Sequence, residues 1–295
     1  MLRGRHLKEQ IGGIALAMVF LLCSPLLSAS FAEVEVTKEL TIDLPELPPD
    51  AKKLEMVLIL PGSFFMGSPL EEPGRSQHDW TVHHVTITRP FYMSKYEVTQ
   101  AQWEALMNKN PSKFRDRPNH PVEKVSWRAC QKFIKRLNNL GRGTFHLPTE
   151  AQWEYACRAD TQTPFFFSDE VENAEESDNF FEVADRYMWW AGNSGSDGTK
   201  EVGLKSPNPW GLYDMHGNVW EWCWDRWEKP YQKEPQLDPR GPKFGWSLFS
   251  LWRTHVGRGG SFRESAEHCR SAHRGREQSF DFHYSLGFRL VREYP

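Results

Sequence analysis

The sequence predicts one loop-rich α+β domain, and three observations carry that expectation. Three helix starts fall between Thr99 and Thr149, each with a side chain suited to cap the first turn. Short apolar runs closed by glycine or proline read as strands. The composition sets 13 tryptophans and 19 phenylalanines beside 21 glycines and 20 prolines, which suits an aromatic core threaded by tight loops better than a helical bundle. The 295 residues fit one large domain or two ordinary ones, at roughly 100–200 residues each. No repeat period or low-complexity tract divides them. The simplest organisation is an export signal over 1–32, an extended linker over 33–52 and one domain over 53–295.

The elements follow in chain order. Arg3, Arg5 and Lys8 precede an apolar run from Ile11 to Leu22, and Ser30-Phe31-Ala32 supplies small residues for cleavage after Ala32. The run is shorter than the ~20 residues that cross a bilayer, so a cleaved signal is preferred to an uncleaved membrane anchor. Periplasmic or secreted location follows, with Cys23 in the discarded segment. Glu33 to Asp50 holds Leu44-Pro45 and Leu47-Pro48-Pro49 without helical periodicity, hence an extended arm. Glu55–Leu60 is a strand ended by Pro61-Gly62, and His84–Thr88 another ended by Arg89-Pro90. Thr99 with Gln102 forms a capping box for a helix through about Asn108. Ser126 caps a second, with Trp127, Cys130, Phe133, Ile134 and Leu137 at helical spacing and Gly141 as the stop. Thr149 with Gln152 opens a third before Trp153. Beyond Asp160 regular signals fade into short strands among long loops, and such a half needs staples, from disulfides or bound metal ions.

A net charge of −3 removes the main argument for nucleic-acid binding. There is no GxSxG elbow, Walker loop, HExxH helix or EF-hand loop. Arg258-Gly259-Gly260-Ser261 lacks the lysine of a phosphate cradle, so its glycines read as a tight turn. His78, His83 and His84 have no carboxylate at metal-ligand spacing and read as surface or strand-end residues. Asn218 and Glu221, within Gly217–Glu221, offer amide, carboxylate and carbonyl oxygens of the kind calcium takes. They could equally hydrogen-bond loop backbone, and residue types leave both open. Trp189-Trp190 and the Trp220–Trp224 segment serve either as core or as an aromatic groove for a peptide or sugar; core packing is preferred. Cys130, Cys157, Cys223 and Cys269 make an even set in an exported chain, which allows three pairings. No CxxC is present, against a zinc ribbon.

Several blocks in fixed order resemble one family. They are Pro61–Ser68, Lys95–Thr99, Pro121–Trp127, Leu147–Ala156, Gly211–Trp222, Arg258–Phe262 and Gly287–Arg289. The set resembles the formylglycine-generating enzyme, or sulfatase-modifying factor, family over essentially Leu54 to Val291. The resemblance implies a loop-rich α+β fold related to the C-type lectin architecture. It also implies oxygen-dependent oxidation of a cysteine in a sulfatase's C-x-P-x-R segment, at a copper(I) ion held between two cysteines after the Gly-Gly-Ser segment. Soft thiolates suit Cu(I). A family calcium site maps onto Gly217, Val219 and Glu221, with Asn218 adjacent.

The chain departs from that pattern. Where the first copper cysteine would stand it has Glu264, and counting on places the second at Cys269. Anchoring instead on Cys269–Arg274 makes Cys269 the family's structural cysteine, bridged to Cys157; Cys130 with Cys223 is the remaining pair. On either count the two-cysteine site cannot be built, so copper is not expected while calcium is. The expected function is an exported family member acting as a monomeric binding or maturation module for a protein, peptide or glycan. The alternative is an oxidoreductase acting on a periplasmic protein or peptide. Cys269, Ser261 and Glu264 are the catalytic candidates, and Arg263, Arg274, Trp220 and Trp222 the substrate-binding ones.

Overall fold

The computed structural model describes residues 38–168, 178–229, 234–241 and 254–295. The expected export signal lies outside them. A five-stranded antiparallel sheet runs in the order β1 (Glu39–Ile42), β2 (Leu54–Ile59), β5 (Phe91–Ser94), β12 (Val291–Glu293) and β6 (Phe145–His146). β1 corrects the linker expectation: Ile42 pairs with Leu54 and is buried, so the segment is built into the domain. Its signal is the alternation of Leu40 and Ile42 with Glu39 and Thr41, beside prolines that read as an arm.

The three expected helices form with their caps. α1 (Gln100–Met107) and α3 (Glu150–Arg158) start at capping boxes on Thr99 and Thr149, and α2 (Trp127–Asn138) starts on Ser126. A fourth, α4 (Asp178–Tyr187), was not expected; Phe180 and Ala184, one turn apart, face the core. Two smaller sheets complete the fold. One runs β10 (Gly275–Gln278), β9 (Thr254–Arg258), β7 (Trp220–Arg226), β11 (Leu286–Gly287); the other runs β3 (Gly62–Met66), β4 (His83–Ile87), β8 (Gln236–Leu237).

Apolar burial divides into three clusters. The first lies around α1 and α2, where Trp103 stacks on Phe133 at 5.4 Å, and it takes in Cys130, Trp220 and Trp222. A second surrounds α3 and contains Trp153, Cys157 and Cys223. The third holds Phe165, Phe180, Trp190, Ala266 and Cys269. Neither expected bridge is formed: the four described cysteines are buried free thiols. The partners of each expected pair pack in different clusters.

Buried arginines staple the loops instead. Arg270 pairs with Glu72 and with Asp79 at 2.7 Å, and donates to the Gly74 carbonyl at 2.6 Å. Arg274 pairs with Glu150 at 2.5 Å and donates to the carbonyls of His78 and Glu228. Arg258 pairs with Glu154 and donates to the carbonyls of Ser271 and His273 at 2.8 and 2.6 Å. A guanidinium presents five donors in a fixed fork, so one buried arginine closes several loops at once.

Candidate functional site

The site is assembled from β7, the Gly259-Gly260 turn after β9 and the 3-10 turn Ala266–Cys269. Gly260 has φ +70°, and a Cβ there would lie 2.5 Å from Cys269 Sγ, so the backbone must be bare at that approach. Loop-to-loop bonds hold the two segments in register: Gly217 N–H donates to Gly259 O at 2.7 Å and Phe262 N–H to Asn218 O at 2.9 Å. The result places Trp220 against Glu264. Trp220 Nε1 donates to Glu264 Oε1 at 3.4 Å, and His268 Nδ1 lies 3.8 Å from Glu264 Oε2. The His268 and His273 rings are 4.8 Å apart, and His273 is 5.7 Å from the Trp220 ring. Burial, then the Arg270 charge, pushes His273 well below its ordinary range, so it is neutral.

The sequence candidates divide. Trp220 meets Glu264, and the adjoining turn brings Arg263 N–H to Ser261 Oγ at 3.3 Å; Trp220 and Ser261 are both buried, while Arg263 lines a surface cavity with Phe262 and Tyr284. Arg274 is not at this cluster, because Glu150 holds it inside the protein. Trp222 is core: fully buried, it donates from Nε1 to Val125 O at 2.9 Å. Cys269 is no open nucleophile. Burial, then the Glu264 charge, pushes its thiol upward, and among the described residues its polar contact is Ser261 O at 4.0 Å. His268 and His273 were missed; the four-residue spacing of Glu264 and His268 was the available signal.

Cys157 is equally inert. Its thiol is pushed up to about 12 by burial, and Sγ lies 3.6 Å from both His216 Nε2 and Ser271 Oγ. His216 gives its Nδ1 hydrogen to Cys269 O at 2.7 Å, and burial lowers it to about 4. Neither ring nor thiol carries charge at neutral pH, so the contact is packing and not an activated pair. Among the described residues no second thiol is bonded to Cys269 or paired with it, and the donor set there does not fit copper(I).

The expected calcium ligands are committed elsewhere. Glu221 accepts from Arg289 Nε and Nη2, both at 2.7 Å, and from Trp153 Nε1 at 2.7 Å. Asn218 is held by Lys200 N–H at 3.0 Å and donates to Glu97 at 3.1 Å. Bare buried carboxylate oxygens do occur close by, on Glu97 Oε2 and Asp214 Oδ1. Both groups are raised by burial, Asp214 to about 6. They match calcium in donor type, but among the described residues no group of three or more His, Cys, Asp or Glu is arranged to hold a metal ion. Gly217 and Val219 could add only their backbone carbonyls.

Fold and site together define a sulfatase-modifying-factor domain. The family model of the sulfatase-modifying factor enzyme 1-like domain matches residues 43–294, and the chain belongs to that family, the formylglycine-generating enzymes among its members. Chaperone protein LppX of Paenibacillus barcinonensis is 27% identical over 256 residues, 74% of this chain and 85% of that protein. A formylglycine-generating enzyme of Thermomonospora curvata is 34% identical over 182 residues, 58% of this chain and 54% of that enzyme. The chain thus spans about half the length of that enzyme. Among solved structures, Treponema denticola variable protein 1 superposes with a TM-score of 0.72 at 25% identity, covering 87% of this chain and 99% of that one. PvdO from Pseudomonas aeruginosa gives 0.68 at 27% identity, covering 82% and 95%.

Proposed function

We propose that this chain is an exported binding or maturation module of the family, which engages a protein or peptide segment at the surface beside Glu264 and Arg263 and has given up cysteine oxidation. One observation carries the reading: the place of a paired thiol holds Glu264, bonded to Trp220, while Cys269 is a buried, protonated thiol. A carboxylate is a hard ligand and a poor partner for copper(I). The likeness to a protein named as a chaperone agrees with a maturation role. Export is compatible with four free thiols, since burial keeps each protonated and away from oxidant. Incubation with a C-x-P-x-R peptide, oxygen, copper and reductant, read by mass spectrometry, should return the peptide unchanged. Conversion of its cysteine to an aldehyde would overturn the proposal in favour of an oxidoreductase.

A further inference from the structure

Three rings from separate loops meet near the Gly-Gly turn. Phe114 follows α1, Phe262 leaves the Gly-Gly turn, and Tyr284 precedes β11. Phe114 stands edge-on to Phe262 at 5.8 Å and to Tyr284 at 5.9 Å. With Ala191, Gly195 and Ser196 they line a surface cavity of about 380 Å³. That volume lies in the range of about 300–1,000 Å³ seen for ligand pockets.

Cations gather at its rim. Lys113 Nζ sits 4.0 Å and the Arg263 guanidinium 4.7 Å from the centre of the Tyr284 ring, so two cations converge on one aromatic. Both are exposed, and neither is in an ion pair with a carboxylate among the described residues. Arg117 adds a third cation 5.9 Å from the Phe114 ring. Like charges gathered at one pocket have an unfavourable energy that an incoming anion would relieve. The same loop as Tyr284 also exposes Phe280 and Phe282, 48% and 62% accessible.

We propose that this pocket binds an acidic peptide segment. An aromatic or aliphatic side chain seats against Phe114 and Phe262, and flanking carboxylates meet Lys113 and Arg263. The inference rests on the reading of the chain as a peptide-binding module and names its partner's chemistry. The same cations repel the arginine of a C-x-P-x-R segment.

The test is calorimetric titration of the full chain with acetyl-Glu-Glu-Phe-Glu-Glu-amide, its lysine counterpart and a sulfated oligosaccharide. The acidic peptide should bind one to one and at least about tenfold tighter than the lysine peptide. Charge reversal at Lys113→Glu with Arg263→Glu should cost at least about tenfold, because like charges are then set against the ligand. Tyr284→Ser should weaken both the binding and its salt dependence. Equal binding of the two peptides, indifference to these substitutions, or capture of the oligosaccharide alone would each overturn the proposal. Failure of the acidic peptide while the C-x-P-x-R peptide stays unconverted rejects this partner only; conversion rejects the underlying reading.

Discussion

Replacing Arg289 by methionine isolates one of the buried arginine contacts. Arg289 is fully buried and gives Glu221 two hydrogen bonds of 2.7 Å, with further donation to Tyr213 O at 2.9 Å and Ser94 O at 3.3 Å. Methionine keeps much of the volume but leaves the Glu221 carboxylate with Trp153 Nε1 alone, and strips the donor from two carbonyls. Breaking a buried pair from one side costs about 3–5 kcal/mol. At about 2–4 °C per kcal/mol for a domain of this size, Tm should fall by on the order of 6–20 °C. Calorimetry with EDTA and with calcium should give the same drop. The double variant Glu221→Leu with Arg289→Met should recover most of it, since a buried ion pair exchanged for apolar volume is often neutral. A loss below about 2 °C, or one seen only with calcium, would refute the assignment of Glu221 to Arg289.

Three further outcomes are expected. Asp225, pushed up to about 7 by burial and the nearby Glu150, keeps a proton in the fold that the unfolded chain releases near 3.8. Its contribution to stability is therefore complete below pH 3.8 and falls as pH rises towards about 7. Asp225→Asn should melt higher than the parent at pH 8 and show no such gain at pH 4; a pH-independent difference would count against the burial. A thiol reagent should find none of the four described cysteines in the native protein and all four after unfolding without reductant, whereas fewer would mean that bridges exist. Gly260→Ala should cost more than about 2 kcal/mol in a urea titration, because the left-handed backbone at φ +70° and the contacts with Cys269 Sγ and His268 O at 2.5 and 2.8 Å both oppose a methyl. An unshifted midpoint would show that the turn can relax.

What could be read from the sequence was local chemistry. The Thr99–Gln102 and Thr149–Gln152 boxes each involve residues three apart, and both form as expected. Strands over 55–60 and 84–88 are found one residue earlier, at Leu54–Ile59 and His83–Ile87. Trp220 lies inside one family-like block and Glu264 just after another, so each was singled out, but their meeting was not read. What escaped was set by long-range partners. Arg274 reads as a cleft cation, but Glu150, 124 residues away, claims it. Glu221 reads as a calcium ligand, but Arg289, 68 residues on, saturates it. The disulfide expectation failed similarly. An even set of cysteines says nothing about which apolar cluster each will fill, and here buried guanidinium forks close the loops.

Copper(I) affinity is the most direct measure of whether oxidation chemistry has been lost. An anaerobic titration against a competing chromophoric chelator, with X-ray absorption on the loaded sample, should reveal no stoichiometric complex and no two-sulfur shell. A tight one-to-one complex with copper between two sulfur atoms, one of them Cys269, would contradict it.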